Sequence, residues 1–289
     1  MSNALFTGVC TAMVTPFIHG RINYPMAELL LKRQIDSGIK AVVLAGTTGE
    51  SPTLTDEEKL ELFRRCKEYA GNHCKIIAGT GSNSTSHAVY LSKEAEKCGV
   101  DGLLLVSPYY NKSTTEGLYQ HYLTIAHAVS IPIILYNVPT RTGVDIPVSV
   151  YARLSNIPNI VGVKEASGDI TKITKIRNAC RDNFTIWTGN DDQIVPVTAL
   201  GGQGVISVVS NVFPEETQAL YHCAQSGNFV QASNMQCKMQ QIIDALFSEV
   251  NPIPVKAAMN MIGYDCGSCR LPLSDMSENK KEALRKLLS

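Results

Sequence analysis

Lys164 is the residue whose place in the sequence most directly suggests chemistry. It ends the mostly apolar run at 160–163 and is followed by Glu165. Lysine is rarely buried without a reason, and burial lowers its pKa, which yields the neutral amine that attacks carbonyl carbons. The alternatives are a lysine that reaches solvent at the edge of a sheet, or one that pairs with Glu165. Alternation along a strand disfavours that pairing, because neighbouring side chains point to opposite faces. By itself the pattern leaves the chemical and the structural interpretation open.

Three further stretches place polar side chains directly after apolar runs. The segment Gly-Thr-Thr-Gly-Glu-Ser at 46–51 combines glycines, which permit a tight turn, with two hydroxyls and backbone N–H groups that suit a carboxylate. Tyr136 can relay protons, and Arg141 can clamp a carboxylate through two hydrogen bonds. Tyr109 and Tyr110 could pack in an interface between subunits, line a functional site, or do both. Each stretch also fits a structural role, as a strand-to-helix turn, a packed tyrosine or a surface ion pair.

Eight short apolar runs, separated by segments of helical periodicity, are the elements that would position these residues. Continuously apolar strands are typical of parallel sheets covered by helices. In a barrel of eight such units, the site residues lie at the carboxyl ends of the strands. The predicted strands are residues 9–14, 41–44, 75–78, 102–106, 133–136, 160–164, 185–187 and 205–208.

The last quarter of the chain differs from the part that carries the strands. It has helical segments at 229–247, 254–262 and 277–288 and no strong strand signal. We therefore predict an α/β fold, with a (β/α)8 TIM barrel over residues 1–224 and a small C-terminal helical domain over residues 225–289. An open doubly wound sheet fits the same alternation of strands and helices. However, no GxGxxG turn follows the first strand, which favours the barrel.

The composition disfavours several classes of protein. The 289 residues include 26 Lys+Arg and 26 Asp+Glu, and this balance, without basic runs, argues against nucleic-acid partners or an anionic membrane surface. We expect no membrane span and no signal peptide, because no apolar run has the required length or flanks. Nine scattered cysteines, an odd number, favour reduced thiols in the cytoplasm. Only Cys266 and Cys269 form a CxxC pair, so we expect no metal site.

Taken together, these motifs resemble those of the dihydrodipicolinate synthase/N-acetylneuraminate lyase superfamily, a group of class I aldolase-type barrels. They occur in the family's order over nearly the whole chain, and they agree better with the synthase branch than with the lyase branch. The matching motifs are GTTGES at 46–51, SPYYNK at 107–112, YNVPTRTG at 136–143, VKEASGD at 163–169, TGNDD at 188–192 and GGQGVISV at 201–208.

The resemblance implies a lyase that condenses pyruvate with L-aspartate 4-semialdehyde, in lysine and diaminopimelate biosynthesis, through a Schiff base on Lys164. It implies that Tyr136, Thr47 and Tyr110 relay protons, with Tyr110 supplied by a neighbouring subunit. The implied assembly is a homotetramer built as a dimer of dimers. No metal or organic cofactor is implied, because the protonated imine itself serves as the electron sink.

The resemblance also implies the residues that bind the substrates. Thr47 and Thr48 would hold the pyruvate carboxylate, Arg141 would bind the semialdehyde carboxylate, and Gly189 and Ile206 would line the site through backbone groups. A rival enzyme, an aldolase releasing pyruvate from sialic acid or a deoxy keto sugar acid, leaves Arg141 unexplained, because the lyase branch lacks this arginine. A barrel retained only as a binding or structural protein would be expected to have lost the lysine or its proton relay.

A second cleft, which binds lysine in some family members, bears on regulation. Ser51, Asn83 and Tyr109 match positions that line it, but His87 stands where lysine-sensitive members have glutamate, and Lys59 where many have histidine. A missing anion and an added cation weaken the binding of an ammonium group. We therefore predict little or no feedback inhibition by lysine.

Overall fold

The structure, a computed structural model that describes residues 4–288, is built around a closed barrel. The strands in this part of the chain are β1 (Gly8–Ala12), β2 (Phe17–Ile18), β3 (Arg21–Ile22), β4 (Ala41–Leu44), β5 (Lys75–Gly79), β6 (Gly102–Val106), β7 (Ile133–Asn137), β8 (Ile160–Glu165), β9 (Thr185–Thr188) and β10 (Gly204–Ser207). β2 and β3 form an antiparallel hairpin. The other eight are parallel, and β1 closes the barrel by pairing with both β4 and β10. The predicted barrel is confirmed, and the open sheet is excluded.

The predicted strands agree with the observed ones to within two residues at each end. The largest difference is at β1, which ends at Ala12 because Val14 N donates to Asn211 Oδ1 (3.1 Å) instead of to a neighbouring strand. At β10, Val208 N donates to an Asp191 carboxylate oxygen (2.9 Å) and lies outside the strand. Side chains distant in sequence thus set both ends.

The helices lie between the barrel strands and beyond the last of them. They are α1 (Tyr24–Asp36), α2 (Asp56–Ala70), α3 (Thr85–Lys97), α4 (Thr115–Ala128), α5 (Pro139–Thr142), α6 (Val148–Leu154), α7 (Ile170–Ala179), α8 (Ile194–Ala199), α9 (Pro214–Gln225), α10 (Phe229–Leu246), α11 (Ile253–Met261) and α12 (Glu278–Leu288). α2 begins at a capping box, in which Thr55 and Glu58 exchange hydrogen bonds between side chain and backbone. None of the helices between residues 4 and 288 is long and apolar enough to cross a membrane.

The interior of the barrel is packed with side chains rather than open. Its apolar cluster consists of Phe6, Cys10, Ala12, Ala41, Val43, Ile77, Leu104, Ile134, Tyr136, Val138, Trp187 and Ile206. Phe6 precedes β1, and its ring stacks on Trp187 with the centroids 4.7 Å apart. This stack fills the amino end of the barrel, so open space for a substrate lies at the carboxyl end of the strands.

α10, α11 and α12 pack against one another and form the predicted C-terminal helical extension. Leu246 of α10 and Leu284 of α12 are fully buried in the core. α9 packs both on β1 and on α10, and it therefore joins the barrel wall to the extension. The exact domain boundary, between residues 224 and 225, stays a prediction.

Candidate active site

Lys164 lies inside the carboxyl end of the barrel, with only 5% of its surface exposed. It is in register with Tyr136 on β7 and Trp187 on β9. Its Nζ lies 4.4 Å from the centroid of the Tyr136 ring. Glu165 points to the opposite face, where its carboxylate accepts hydrogen bonds from Asn137 Nδ2 (2.9 Å) and Tyr151 OH (3.3 Å). The geometry therefore removes the alternative in which Lys164 pairs with Glu165.

A cavity of about 670 Å³ opens at this end of the barrel. Thr47, which follows β4, lines it together with Tyr136 near the end of β7 and Arg141 just after β7. The Lys164 amine lies over one face of the Tyr136 ring. The amine, the Tyr136 phenol and the Thr47 hydroxyl are therefore all at this end of the barrel. Such a set can form a covalent adduct with a carbonyl compound and move protons around it.

The 46–51 turn is fixed by hydrogen bonds within itself and to distant residues. Glu50 N donates to Thr47 O (3.1 Å), and Ser51 N donates to Gly46 O (3.2 Å). Thr48 is buried, and its hydroxyl oxygen accepts a hydrogen bond from Asn251 Nδ2 (3.0 Å). Of the two threonines, Thr47 therefore lines the cavity, and Thr48 is held behind it.

Gly189 fits against Lys164 because it has no side chain. A Cβ atom at this position would lie 2.8 Å from Lys164 Cε and 2.7 Å from Ala166 Cβ. Gly189 N donates to Glu165 O (2.8 Å), which fixes the loop after β9 against β8. The glycine therefore determines where the lysine side chain can lie.

We expect Gly189→Ala to lower turnover by about 10²-fold, because a displacement of the reacting group by about 1 Å has effects of this size. The added methyl cannot be accommodated unless the Lys164 side chain moves. Steady-state kinetics would measure the loss. Gly168→Ala is the control, since its Cβ meets nothing within 4 Å although φ is +84°. Gly168→Ala should destabilise the fold but leave turnover unchanged. An equal loss of turnover in Gly168→Ala and Gly189→Ala would contradict this role of Gly189.

Arg141 is exposed on α5, and its Nη2 donates to the backbone oxygen of Asn251 (3.3 Å). Asn251 thus contacts both Thr48 and Arg141 and is itself 94% buried, since its exposed fraction is 6%. Sequence reasoning missed Asn251. No local motif marks it, because it lies 203 positions from Thr48 and 110 from Arg141.

The structure of one chain does not bring all of the predicted residues together. Tyr110 is 87% exposed and has a φ of +70°, and it does not line the cavity, although its neighbour Tyr109 does. Ile206 is fully buried on β10, opposite Cys10, and its side chain belongs to the interior cluster. Tyr110 therefore lies outside the cavity of its own chain.

Asp191, in the TGNDD motif, supports the floor of the site from behind. Burial raises the pKa of its carboxyl, and this effect is opposed by hydrogen bonds from Ser207 Oγ (2.5 Å) and Val208 N (2.9 Å). The bonds tie the loop after β9 to the end of β10. Asp191 is fully buried and has structural partners for both oxygens, so its role is to hold backbone.

The cavity extends to a second polar cluster around Asp56. His87 Nε2 lies 2.8 Å from Asp56 Oδ2, and its Nδ1 lies 3.1 Å from Ser82 Oγ. Lys59 Nζ lies 3.7 Å from Asp56 Oδ1, and burial lowers the pKa of Lys59, which the Asp56 charge partly opposes. The carboxylate of this cluster is thus already shared by two basic side chains.

Fold and site define a (β/α)8-barrel enzyme with a buried lysine at the mouth of the barrel. The chain belongs to the dihydrodipicolinate synthetase family, whose model matches residues 5–289. Between residues 4 and 288, no His, Cys, Asp and Glu side chains are grouped so that they could hold a metal ion.

Similar proteins support this assignment over the full length of the chain. A 4-hydroxy-tetrahydrodipicolinate synthase of Acetivibrio thermocellus is 45% identical over 288 residues, covering 100% of this chain and 98% of that one. A synthase of the same name from Caldicellulosiruptor saccharolyticus is 47% identical, covering 98% and 96%. The crystal structure of dihydrodipicolinate synthase from Aquifex aeolicus superposes with a TM-score of 0.96 at 42% identity, covering 98% of this chain and 97% of that one.

Proposed function

We propose that this chain is a 4-hydroxy-tetrahydrodipicolinate synthase, which condenses pyruvate with L-aspartate 4-semialdehyde in lysine and diaminopimelate biosynthesis. The observation that carries the proposal is the Lys164 amine, buried at the barrel mouth against the Tyr136 ring. The amine attacks the keto carbon of pyruvate, and loss of water gives an imine. Loss of a methyl proton then gives an enamine, whose carbon attacks the aldehyde of the second substrate.

The proton transfers are proposed to run through Tyr136, Thr47 and Tyr110. Tyr136 and Thr47 line the same cavity, and hydroxyls at such positions can carry protons between reacting groups. Tyr110 would come from a neighbouring copy of the chain in a homotetramer. In favour of this, the Tyr110 side chain is almost fully exposed and does not line the cavity of its own chain.

The two substrate carboxylates are proposed to bind to different residues of the site. Thr47 and Thr48 would hold the pyruvate carboxylate, with Gly189 and Ile206 contributing backbone groups close to Lys164. Arg141, exposed at the rim, would bind the semialdehyde carboxylate through its guanidinium group.

The experiment that tests the function is an assay of condensation with both substrates, run beside an assay of pyruvate release from sialic acid and deoxy keto sugar acids. Condensation without pyruvate release is the expected result. Release of pyruvate from a sugar acid without condensation would favour the aldolase alternative.

We expect Arg141→Ala to raise KM for the semialdehyde by about 10- to 100-fold, which corresponds to the loss of a charge-assisted hydrogen bond. The half-saturating pyruvate concentration should change little, because Thr47 and Thr48, and not Arg141, are proposed to hold pyruvate. Arg285→Ala is the control, as this arginine is 58% exposed on α12 and pairs with Glu282. An unchanged KM for the semialdehyde in Arg141→Ala would argue against the carboxylate clamp.

Lysine is expected not to inhibit the enzyme at submillimolar concentration, because His87 and Lys59 already share the Asp56 carboxylate. A lysine ammonium group would meet two basic side chains and no free anion there. An inhibition titration measures this, and half-maximal inhibition at submillimolar lysine would contradict it. The Lys59→His/His87→Glu double variant should gain sensitivity, because it supplies the missing anion.

We also propose that the enzyme works in the cytoplasm. All nine cysteines are free thiols, and burial raises the pKa of several of them, among them Cys66 and Cys266, each to about 12. Unpaired cysteines are typical of a reducing compartment.

A further inference from the structure

A fully buried ion pair joins the 46–51 turn to the C-terminal extension. Lys256 Nζ, on α11, donates to Glu50 Oε1 at 2.7 Å. The side chains of Lys256 and Glu50 are 2% and 0% exposed. The two residues are 206 positions apart, so the contact exists only because the extension packs against the barrel mouth.

Both charges have further partners that fix their positions. Glu50 Oε2 accepts a hydrogen bond from Arg270 N (2.9 Å), and Lys256 Nζ also donates to Ser268 O (3.1 Å). Lys256 Nζ lies 4.0 Å from the centroid of the Phe17 ring. The carboxylate and the ammonium therefore each have a second partner besides one another.

The pair contacts a segment of backbone with an unusual conformation. Glu50 has a φ of +55°, in the left-handed region that non-glycine residues rarely adopt. The Glu50 N–H donates to Thr47 O, and the Glu50 carbonyl oxygen accepts hydrogen bonds from Thr53 N and Thr53 Oγ1. The position of Glu50 therefore affects that of Thr47. Asn251, which precedes α11, holds Thr48 at the same time.

We propose that the Glu50–Lys256 pair is a positioning device that sets Thr47 and Thr48 for the pyruvate carboxylate; this rests on the function proposed above. A buried ion pair is on average no more stabilising than apolar residues of the same shape, so stability alone does not account for it. The pair instead gives a directional contact between the turn and α11. Through it, the C-terminal extension forms part of the pyruvate site.

The test is the half-saturating pyruvate concentration for trapping by borohydride, measured on the full chain together with the thermal midpoint. We expect Lys256→Met to raise that concentration about tenfold, as for other small misplacements of binding groups. KM for the semialdehyde should stay within about twofold, because Arg141 binds it from another loop.

Two further variants separate positioning from stability. Leu284→Ala removes a buried side chain of the same extension, on α12 and not on α11, so it should lower the thermal midpoint and leave pyruvate half-saturation unchanged. The double variant Glu50→Gln/Lys256→Met leaves no unpaired buried charge. It should therefore fold even if the single variant Lys256→Met does not fold. Its half-saturation should remain raised, because methionine cannot donate the hydrogen bond to residue 50.

Each outcome bears on a different claim. A wild-type adduct with unchanged pyruvate half-saturation in both Lys256 variants would overturn the positioning role and leave the proposed function intact. An equal rise in Leu284→Ala would also overturn it, because general loss of stability would then suffice. If the wild type forms no adduct, the proposed function fails, and this inference fails with it.

Discussion

Lys164→Ala is expected to lower turnover by at least about 10³-fold, a loss typical of removing the nucleophile of a covalent mechanism. Without the amine no imine can form, and the methyl protons of pyruvate lose the electron sink that makes them acidic. The fold should survive, because no ion pair of Lys164 is found in residues 4–288 and the side chain packs against Tyr136 and Gly189. Steady-state kinetics and a thermal melt measure the two effects.

Lys164→Arg is the matched control for charge. Arginine keeps a cation at the barrel mouth but does not lose its proton in proteins, so it cannot act as the neutral amine. We expect it to be as inactive as Lys164→Ala. Turnover within about tenfold of the wild type in either folded variant would mean that Lys164 is not the nucleophile.

Tyr136→Phe is expected to lower turnover by about 10²- to 10⁴-fold, the range found when a positioned acid–base group is removed. Phenylalanine keeps the ring over which the Lys164 amine lies. Tyr136 is 94% buried, and the retained ring should preserve its packing. The pyruvate adduct should still form on incubation with borohydride, although more slowly. The expected signature is therefore a loss in proton transfer with the lysine still competent.

Tyr221→Phe controls for the loss of a buried phenol. Tyr221 is 2% exposed, and its hydroxyl donates to Gln203 O (3.0 Å) at the amino end of the barrel. It should lose some stability and keep its turnover. If the two variants lose turnover equally, the effect of Tyr136→Phe is not specific to the site.

The sequence was sufficient to predict the barrel because each strand is a short apolar run bounded by polar turns. Lys164 could be singled out for the same reason, since a charged residue ends one of these runs and the strand alternation fixes the face to which it points. The positions of Thr47, Tyr136 and Arg141 around one cavity follow from the rule that sites lie at the carboxyl ends of the strands.

What the sequence could not show are the contacts made across long stretches of chain. Asn251 with Thr48, and Lys256 with Glu50, join residues 203 and 206 positions apart. No local periodicity or motif encodes such a pairing, which depends on how α11 packs against the barrel. The Tyr110 side chain is a further case, because one chain shows only that it is exposed.

The most direct test of the Schiff-base mechanism is intact-protein mass spectrometry after incubation with pyruvate and borohydride, followed by peptide mapping. The proposal predicts one adduct, whose mass is that of pyruvate less the water lost on imine formation plus two hydrogens from the reduction, located on Lys164 and absent from Lys164→Ala. No adduct on correctly folded wild-type protein, or an adduct on another lysine, would contradict it.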